Sequence, residues 1–202
     1  MRTFTAFFVA LILMAFGTAQ AIPITGSLWE VSEAASQNAI PANIPGVAPD
    51  VTFQVNAPLN FNATNATVQA WLLSGGAFNI TGSVSALNRL MDNSISGTLV
   101  EFQGMVSVTN GQSVSVIHDD GLTLIIGGID LGFSPLPTAP VLTTRTYTGP
   151  TGNFPFQLVY GECCGGPAVL QVDLPFQPAP EPGSLAVIAG GLVFVAIRRR
   201  YR

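Results

Sequence analysis

The stretches "HDDG", His118 to Gly121, and "GECCGG", Gly161 to Gly166, hold the side chains of this 202-residue chain most able to do chemistry. Asp119 and Asp120 are adjacent carboxylates, which repel each other unless a cation lies between them. The plainer reading is that Asp-Asp-Gly turns the chain between "SVSVI" and "LTLII", because Asp and Gly suit turns. A hydrolytic reading would use Asp119, Asp120 and Glu162 as paired acids. Glycosidases need two carboxyls at a set separation, however, and adjacent acids in one loop do not supply it. Cys163 and Cys164 are the only cysteines and His118 the only histidine, so Cys and His cannot assemble a four-ligand zinc site. A thiol nucleophile paired with His118 has little footing, since export favours oxidation of thiols and nothing marks a lowered thiol pKa. Neighbouring cysteines in an exported protein can close a vicinal disulfide, pair between chains or remain buried thiols. A Gly-flanked loop, where backbone distortion is tolerated, favours the vicinal bond. There is no G-x-S-x-G elbow and no phosphate-cradling loop. These residues point away from an enzyme and require no cofactor.

The elements that must position them read as strands. "VTFQV" at Val51, "TVQAWLL" from Thr67, "AFNITGSVS" from Ala77 and "TLVEFQGMVSV" from Thr98 are short runs rich in Val, Phe, Thr and Ile, separated by Gly, Pro and Asn. Asn110-Gly111 falls between "MVSV" and "SVSVI" and predicts a tight hairpin, because that dipeptide favours positive φ. Phe156 to Tyr160 and Ala168 to Leu174 flank the cysteine loop, and in the second run Leu170, Val172 and Leu174 share one face. Helix is scarce, with "SALNRLMDN" near Leu87 the best candidate. The expected fold class is all-β, an antiparallel β-sandwich or barrel, with no internal repeat. Sequons begin at Asn62, Asn65 and Asn79 and are expected in loops and at strand edges.

Both ends carry addresses. Arg2 opens a short positive region, "AFFVALILMAF" spans Ala6 to Phe16, and "AQA" ends at Ala21, so residues 1–21 read as a secretory signal peptide cut between Ala21 and Ile22 by signal peptidase. The chain closes with Pro180-Glu181-Pro182, an uncharged run from Leu185 to Ile197, and Arg198, Arg199, Arg200 and Arg202. A helix of that length rises only about 20 Å against a hydrocarbon core of about 30 Å. It is a poor permanent span but suits a transient membrane insertion, with the arginines held inside. Between Ile22 and Glu181 lie all eleven acidic residues against two arginines, Arg89 and Arg145, a net charge of −9. That acidic body, with no lysine, has no electrostatic footing for nucleic acid. Residues 22–177 are the size of one domain and long enough to bury a core.

The tail, residues 178–202, resembles the PEP-CTERM sorting signal of Gram-negative bacteria. The resemblance implies processing by an exosortase after export through the inner membrane. It also implies a final place at the cell surface or in the extracellular matrix, with exopolysaccharide as the associated material. "GTLVEFQGMVSVTNGQSVSVIHDDGLTLIIGGIDL" followed by "FPFQLVYGECCGGPAVLQVDL", residues 97–174, is similar to the protective-antigen-like domain, whose Tyr-x-Glu-x-x-Gly-x-Ala pattern Tyr160, Glu162, Gly165 and Gly166 fit approximately while Pro167 and Ala168 are shifted by a residue. That likeness implies a β-sandwich. For some members it also implies calcium held by an Asp pair joined through a cis peptide, here Asp119 and Asp120, with places left for sugar hydroxyls. Asp130, Glu162 or loop carbonyls would have to complete the shell. The expectation is an exported protein that binds or is embedded in polysaccharide. The alternatives are a structural surface domain without a ligand and a carboxylate-based glycan hydrolase.

Overall fold

The computed structural model describes residues 23–92 and 95–175. One compact unit, Ile22–Gln177, carries the fold. The expected signal peptide, the expected Ala21–Ile22 cleavage site and the sorting tail lie outside the described residues. Among the described residues no helix is long and apolar enough to cross a membrane.

Eleven strands form two antiparallel sheets packed as a sandwich. The larger sheet has the order β4-β2-β1-β5-β10-β7-β8 and the smaller β3-β11-β6-β9. The larger contains β1 (Ile24–Ser32), β2 (Val51–Val55), β4 (Phe78–Gly82), β5 (Ser96–Val108), β7 (Leu122–Ile126), β8 (Ile129–Asp130) and β10 (Gly152–Glu162). The smaller contains β3 (Leu59–Ala63), β6 (Ser113–Asp119), β9 (Val141–Thr146) and β11 (Ala168–Asp173). Alternation along the strands decides which face is inside. Leu28, Val51, Phe53, Phe61, Val100, Phe102, Val116, Leu170 and Val172 line one continuous core, while Gln171 and Asp173 turn outward.

Two local expectations are overturned. "TVQAWLL" is not a strand but the helix α2 (Val68–Ser74), which follows a shorter α1 (Glu33–Ser36) and precedes α3 (Val84–Asn88). Thr67 caps α2, accepting from Ala70 N at 3.2 Å, and Val68, Trp71 and Leu72 recur at helical spacing on its buried face. The period of the apolar residues therefore outweighed the β-branched composition. Asn110-Gly111 does turn the chain, but β5 and β6 do not pair; they belong to different sheets. Gly111 has φ 83° whereas Asn110 is not left-handed, and Gln112 N donates to Thr109 O at 3.0 Å, the pattern of a type II turn rather than a hairpin turn. The tight hairpin lies instead at Gly127-Gly128, both left-handed, between β7 and β8. The helix expected near Leu87 is α3. Asn62 and Asn79 are exposed on the edge strands β3 and β4, and Asn65 is exposed in a loop.

Candidate functional site: a carboxylate cleft at one pole

The chain crosses between the two sheets seven times. At one pole β6 passes to β7 through Asp120 and Gly121, and β10 passes to β11 through the cysteine loop. Val169 on β11 lies opposite Asp119 on β6, which brings the two crossings together. The segment from Leu131 to Pro140 closes over them, with Leu122 N donating to Ser134 O at 2.9 Å. Gly121 is required at this meeting, because any Cβ there would collide with the Pro135 carbonyl. The result is a cleft of about 380 Å³ lined by Asp119, Asp120, Thr138, Cys164 and Gly165 and walled by Pro137, Pro140 and Pro167.

The Asp119–Asp120 peptide is cis. Both residues are only 4% exposed, and both carbonyls and the Asp120 carboxylate are hydrogen-bonded. The Asp120 carboxylate accepts from Thr138 N at 3.1 Å and from Cys163 N at 2.9 Å. The Asp120 carbonyl meets His118 Nδ1 at 2.6 Å, while His118 Nε2 lies 2.9 Å from Thr143 Oγ1. A carbonyl only accepts, so Nδ1 carries the proton and Nε2 takes one from the threonine hydroxyl. Burial pushes His118 below its usual pKa, so the ring is neutral and its tautomer fixed. The Asp119 carbonyl is reached by the Tyr160 hydroxyl. Tyr160 is in turn stacked on Trp71 of α2, with centroids 5.8 Å apart, and Trp71 Nε1 donates to Ala168 O at 3.2 Å.

The electrostatics of the cleft are one-sided. Burial, followed by the charge of Asp120 and a hydrogen bond that protonated Asp119 donates to that residue, raises Asp119 to about 7. Burial also raises Asp120, against the two backbone N–H groups that hold its charged form. Among the described residues the one ion pair, Arg89 with Glu30 at 3.8 Å, involves neither aspartate. Hard carboxylate oxygens of this kind suit an alkaline-earth cation, with carbonyls of the lining loops as further oxygen donors.

The other sequence-predicted residues fall in different places. Cys163 and Cys164 are joined to each other by a disulfide, which removes both the thiol nucleophile and any thiolate ligand, although the sulfurs lie near the Asp120 carboxylate. His118 is committed on both nitrogens, so the Cys–His pairing does not form. Glu162 is 1% exposed and lines a separate cavity of about 70 Å³ beyond Gly165-Gly166, not the main cleft. Its Oε2 is 2.5 Å from the Tyr160 hydroxyl, whose single proton also faces the Asp119 carbonyl. Burial raises Glu162 to about 9, opposed by the hydrogen bond that it accepts from Tyr160. Asp130 accepts from Gly132 N at 2.8 Å in the turn after β8 and does not line the cleft. Sequence reasoning missed Thr138 and the pinning role of His118. The one available signal was the position of His118 directly before the Asp pair, at the end of β6.

Comparison with known proteins adds to both parts of the chain. Residues 178–200 match the PEP-CTERM protein-sorting motif. The tail is a sorting signal. It marks an exosortase-targeted protein exported to the surface of a Gram-negative cell. No curated protein matches the chain. Among solved structures, the fold is similar to the PA14 domain of the MpAFP antifreeze protein, at 15% identity and TM-score 0.51, covering 78% of this chain and 84% of that one. It is also similar to the PA14 sugar-binding domain from an RTX adhesin, at 16% identity and TM-score 0.51, covering 77% and 89%. At such identities the likeness is one of fold.

Proposed function

We propose that this surface protein binds a glycan of the extracellular matrix through a calcium ion held by Asp119 and Asp120, and that it does not hydrolyse it. The observation that carries this reading is a pair of buried, adjacent carboxylates with pinned carbonyls and, among the described residues, no salt bridge to either, opening into a cleft of about 380 Å³. Leaving two like charges buried together is costly unless a cation or proton joins them. A calcium ion accepts six to eight oxygens in loose geometry, so it leaves positions for two vicinal sugar hydroxyls. The sugar-binding title of the adhesin domain, a fold relative, points the same way. Binding rather than hydrolysis is favoured because the further acids near the pair, Glu162 and Asp92, line the separate cavity behind the Gly165-Gly166 loop, where burial raises Glu162 to about 9.

The direction of the chain supports a display role. β11 starts beside the cleft and runs away from it to Asp173, and the Pro175 carbonyl accepts from Ser107 N near the opposite end of β5. A domain held through the residues that follow would present its cleft outward. On this reading signal peptidase frees Ile22, the hydrophobic run enters the membrane transiently, and the exosortase removes the tail after reading Pro180-Glu181-Pro182.

Calorimetry followed by a glycan array tests the binding reading. Wild type should bind calcium, and array signals should vanish with chelator and in Asp119→Asn/Asp120→Asn. A folded wild type that takes up no calcium at millimolar concentration overturns it. The sorting reading is tested by mass spectrometry of protein from its own cells: a mature species retaining Leu185 to Arg202 defeats it.

A further inference from the structure

The cleft has carboxylates at its base but no aromatic ring on its walls. This matters because a pyranose has two chemical characters, an edge of hydroxyls and a face of C–H groups. A site that holds only the hydroxyls leaves the C–H face in water and gains little from shape. Proteins commonly meet that face with Trp or Tyr. Here Trp71 and Tyr160 are fully buried in the core and unavailable.

What the cleft offers in their place is sulfur. Cys163 is fully buried and Cys164 is exposed, so the disulfide is anchored on one side and presented on the other. Both sulfurs and an Asp120 carboxylate oxygen lie within 4.8 Å of one another, about the width of a sugar ring. Cys164 has φ 65°, which turns its side chain out of the strand direction at the end of β10. Gln37 Nε2 donates to Cys164 Sγ at 3.4 Å and braces it from α1's C-terminal side. The Cys163 N–H bond to Asp120 ties the disulfide to the same carboxylate. A disulfide carries no donor hydrogen, is polarizable, and makes dispersion contacts with C–H groups; the rings of Pro137, Pro140 and Pro167 extend the same apolar surface.

We infer that the Cys163–Cys164 disulfide is a specificity-determining platform that takes the C–H face of the sugar ring while the Asp pair takes its hydroxyl edge. This rests on the calcium-dependent glycan reading above. It adds a consequence that reading lacks: the sugar affinity depends on the oxidised sulfurs even when the cation remains bound. An oxidising extracytoplasmic compartment keeps the platform formed.

The test titrates calcium first and then the methyl glycosides of glucose, galactose, mannose and fucose, each at saturating calcium. It uses wild type, Cys163→Ala/Cys164→Ala, and Cys163→Ala/Cys164→Met, which restores apolar surface without the ring. Calcium affinity should stay within about twofold in all three, while the best glycoside weakens roughly tenfold in the double alanine variant and recovers in the methionine variant. Saturation-transfer NMR on wild type should show the ring C–H protons as the closest contacts. Unchanged glycoside affinity in the double alanine variant, or calcium affinity lost in parallel with it, makes the disulfide structural and overturns the platform. If the double alanine variant does not fold, wild type before and after mild reduction supplies the same comparison. Calcium-loaded wild type that binds none of the four glycosides overturns the platform and leaves the cation site standing. Absence of calcium uptake by wild type removes the proposed function and the platform together, and the first titration shows this before sugar is added.

Discussion

The two poles of the sandwich solve one problem with opposite chemistry. At each, chain segments cross between the sheets and leave carbonyls and N–H groups to be satisfied. At the pole away from the cleft the crossings include Thr109–Gln112 and the segment from Tyr147 to Thr151. They are knitted by Gly111 N to Tyr147 O at 2.9 Å and Tyr147 N to Gln112 O at 2.8 Å. Asn110, a neutral amide, donates to the carbonyls of Thr148 and Gly149 at 3.0 and 2.9 Å. That pole closes on itself without a charge. The cleft pole uses Asp where the other uses Asn, and its carboxylates face each other with raised pKa values. Similar topology therefore yields a corner closed by neutral groups at one end and a carboxylate corner at the other. The residue types at the crossings, more than the strands, separate scaffold from site.

Several measurements would break or sharpen this contrast. The largest effect is expected from Trp71→Ala. It deletes the ring that stacks on Phe61 and Tyr160, and should cost about 3–5 kcal/mol in urea denaturation. It should also weaken calcium binding, since Tyr160 would lose its brace under Asp119. A loss below about 1 kcal/mol would show that α2 is not part of the cleft's support.

Calcium at a hundredfold excess over its dissociation constant should stabilise wild type by about 2.7 kcal/mol, and Asp119→Asn/Asp120→Asn by nothing measurable. Thermal melts with and without chelator read this directly. The same melts on Asn110→Ala should show the reverse: a fall of about 1–2 kcal/mol from the lost hydrogen bonds, with the calcium increment intact. A calcium increment that shrinks in Asn110→Ala would mean that the poles are coupled.

The smallest effect is a pH slope. Asp119 is raised from 3.8 to about 7, so the folded state holds its proton more tightly than the unfolded chain. The stability this contributes is fully present below about pH 4 and is lost as pH rises through about 7; Glu162, at about 9, extends the loss upward. In chelator, the melting temperature should therefore be higher at pH 5.5 than at pH 8.5. Calcium should flatten or invert the difference by replacing the proton, and a chelator profile that rises toward pH 8.5 would remove the buried-pair description.

Sequence by itself determined the class of fold and the address. Alternating apolar residues in runs such as Val51 to Val55 and Ala168 to Leu174 are local patterns, and a strand with one buried face needs no distant information to be legible. The Pro-Glu-Pro, apolar run and arginines of the tail are likewise read in order along the chain, by enzymes that see an extended peptide. Only the tertiary structure decided that Val68 to Ser74 is helical, because Trp71 is held by stacking on Tyr160 across the core. It also decided that Asn110-Gly111 joins two sheets rather than two paired strands. β10 takes one edge of β5 along Thr98 to Val108, β1 takes the other as far as Gln103 and the Pro175 carbonyl takes Ser107 N, and no dipeptide carries that fact. The same holds for the cleft. Asp119 and Asp120 stood out as neighbours in sequence, but Thr138, Cys164 and the proline walls reach them from separate segments, and the neutral state of Glu162 follows from a burial that only the packed sandwich creates.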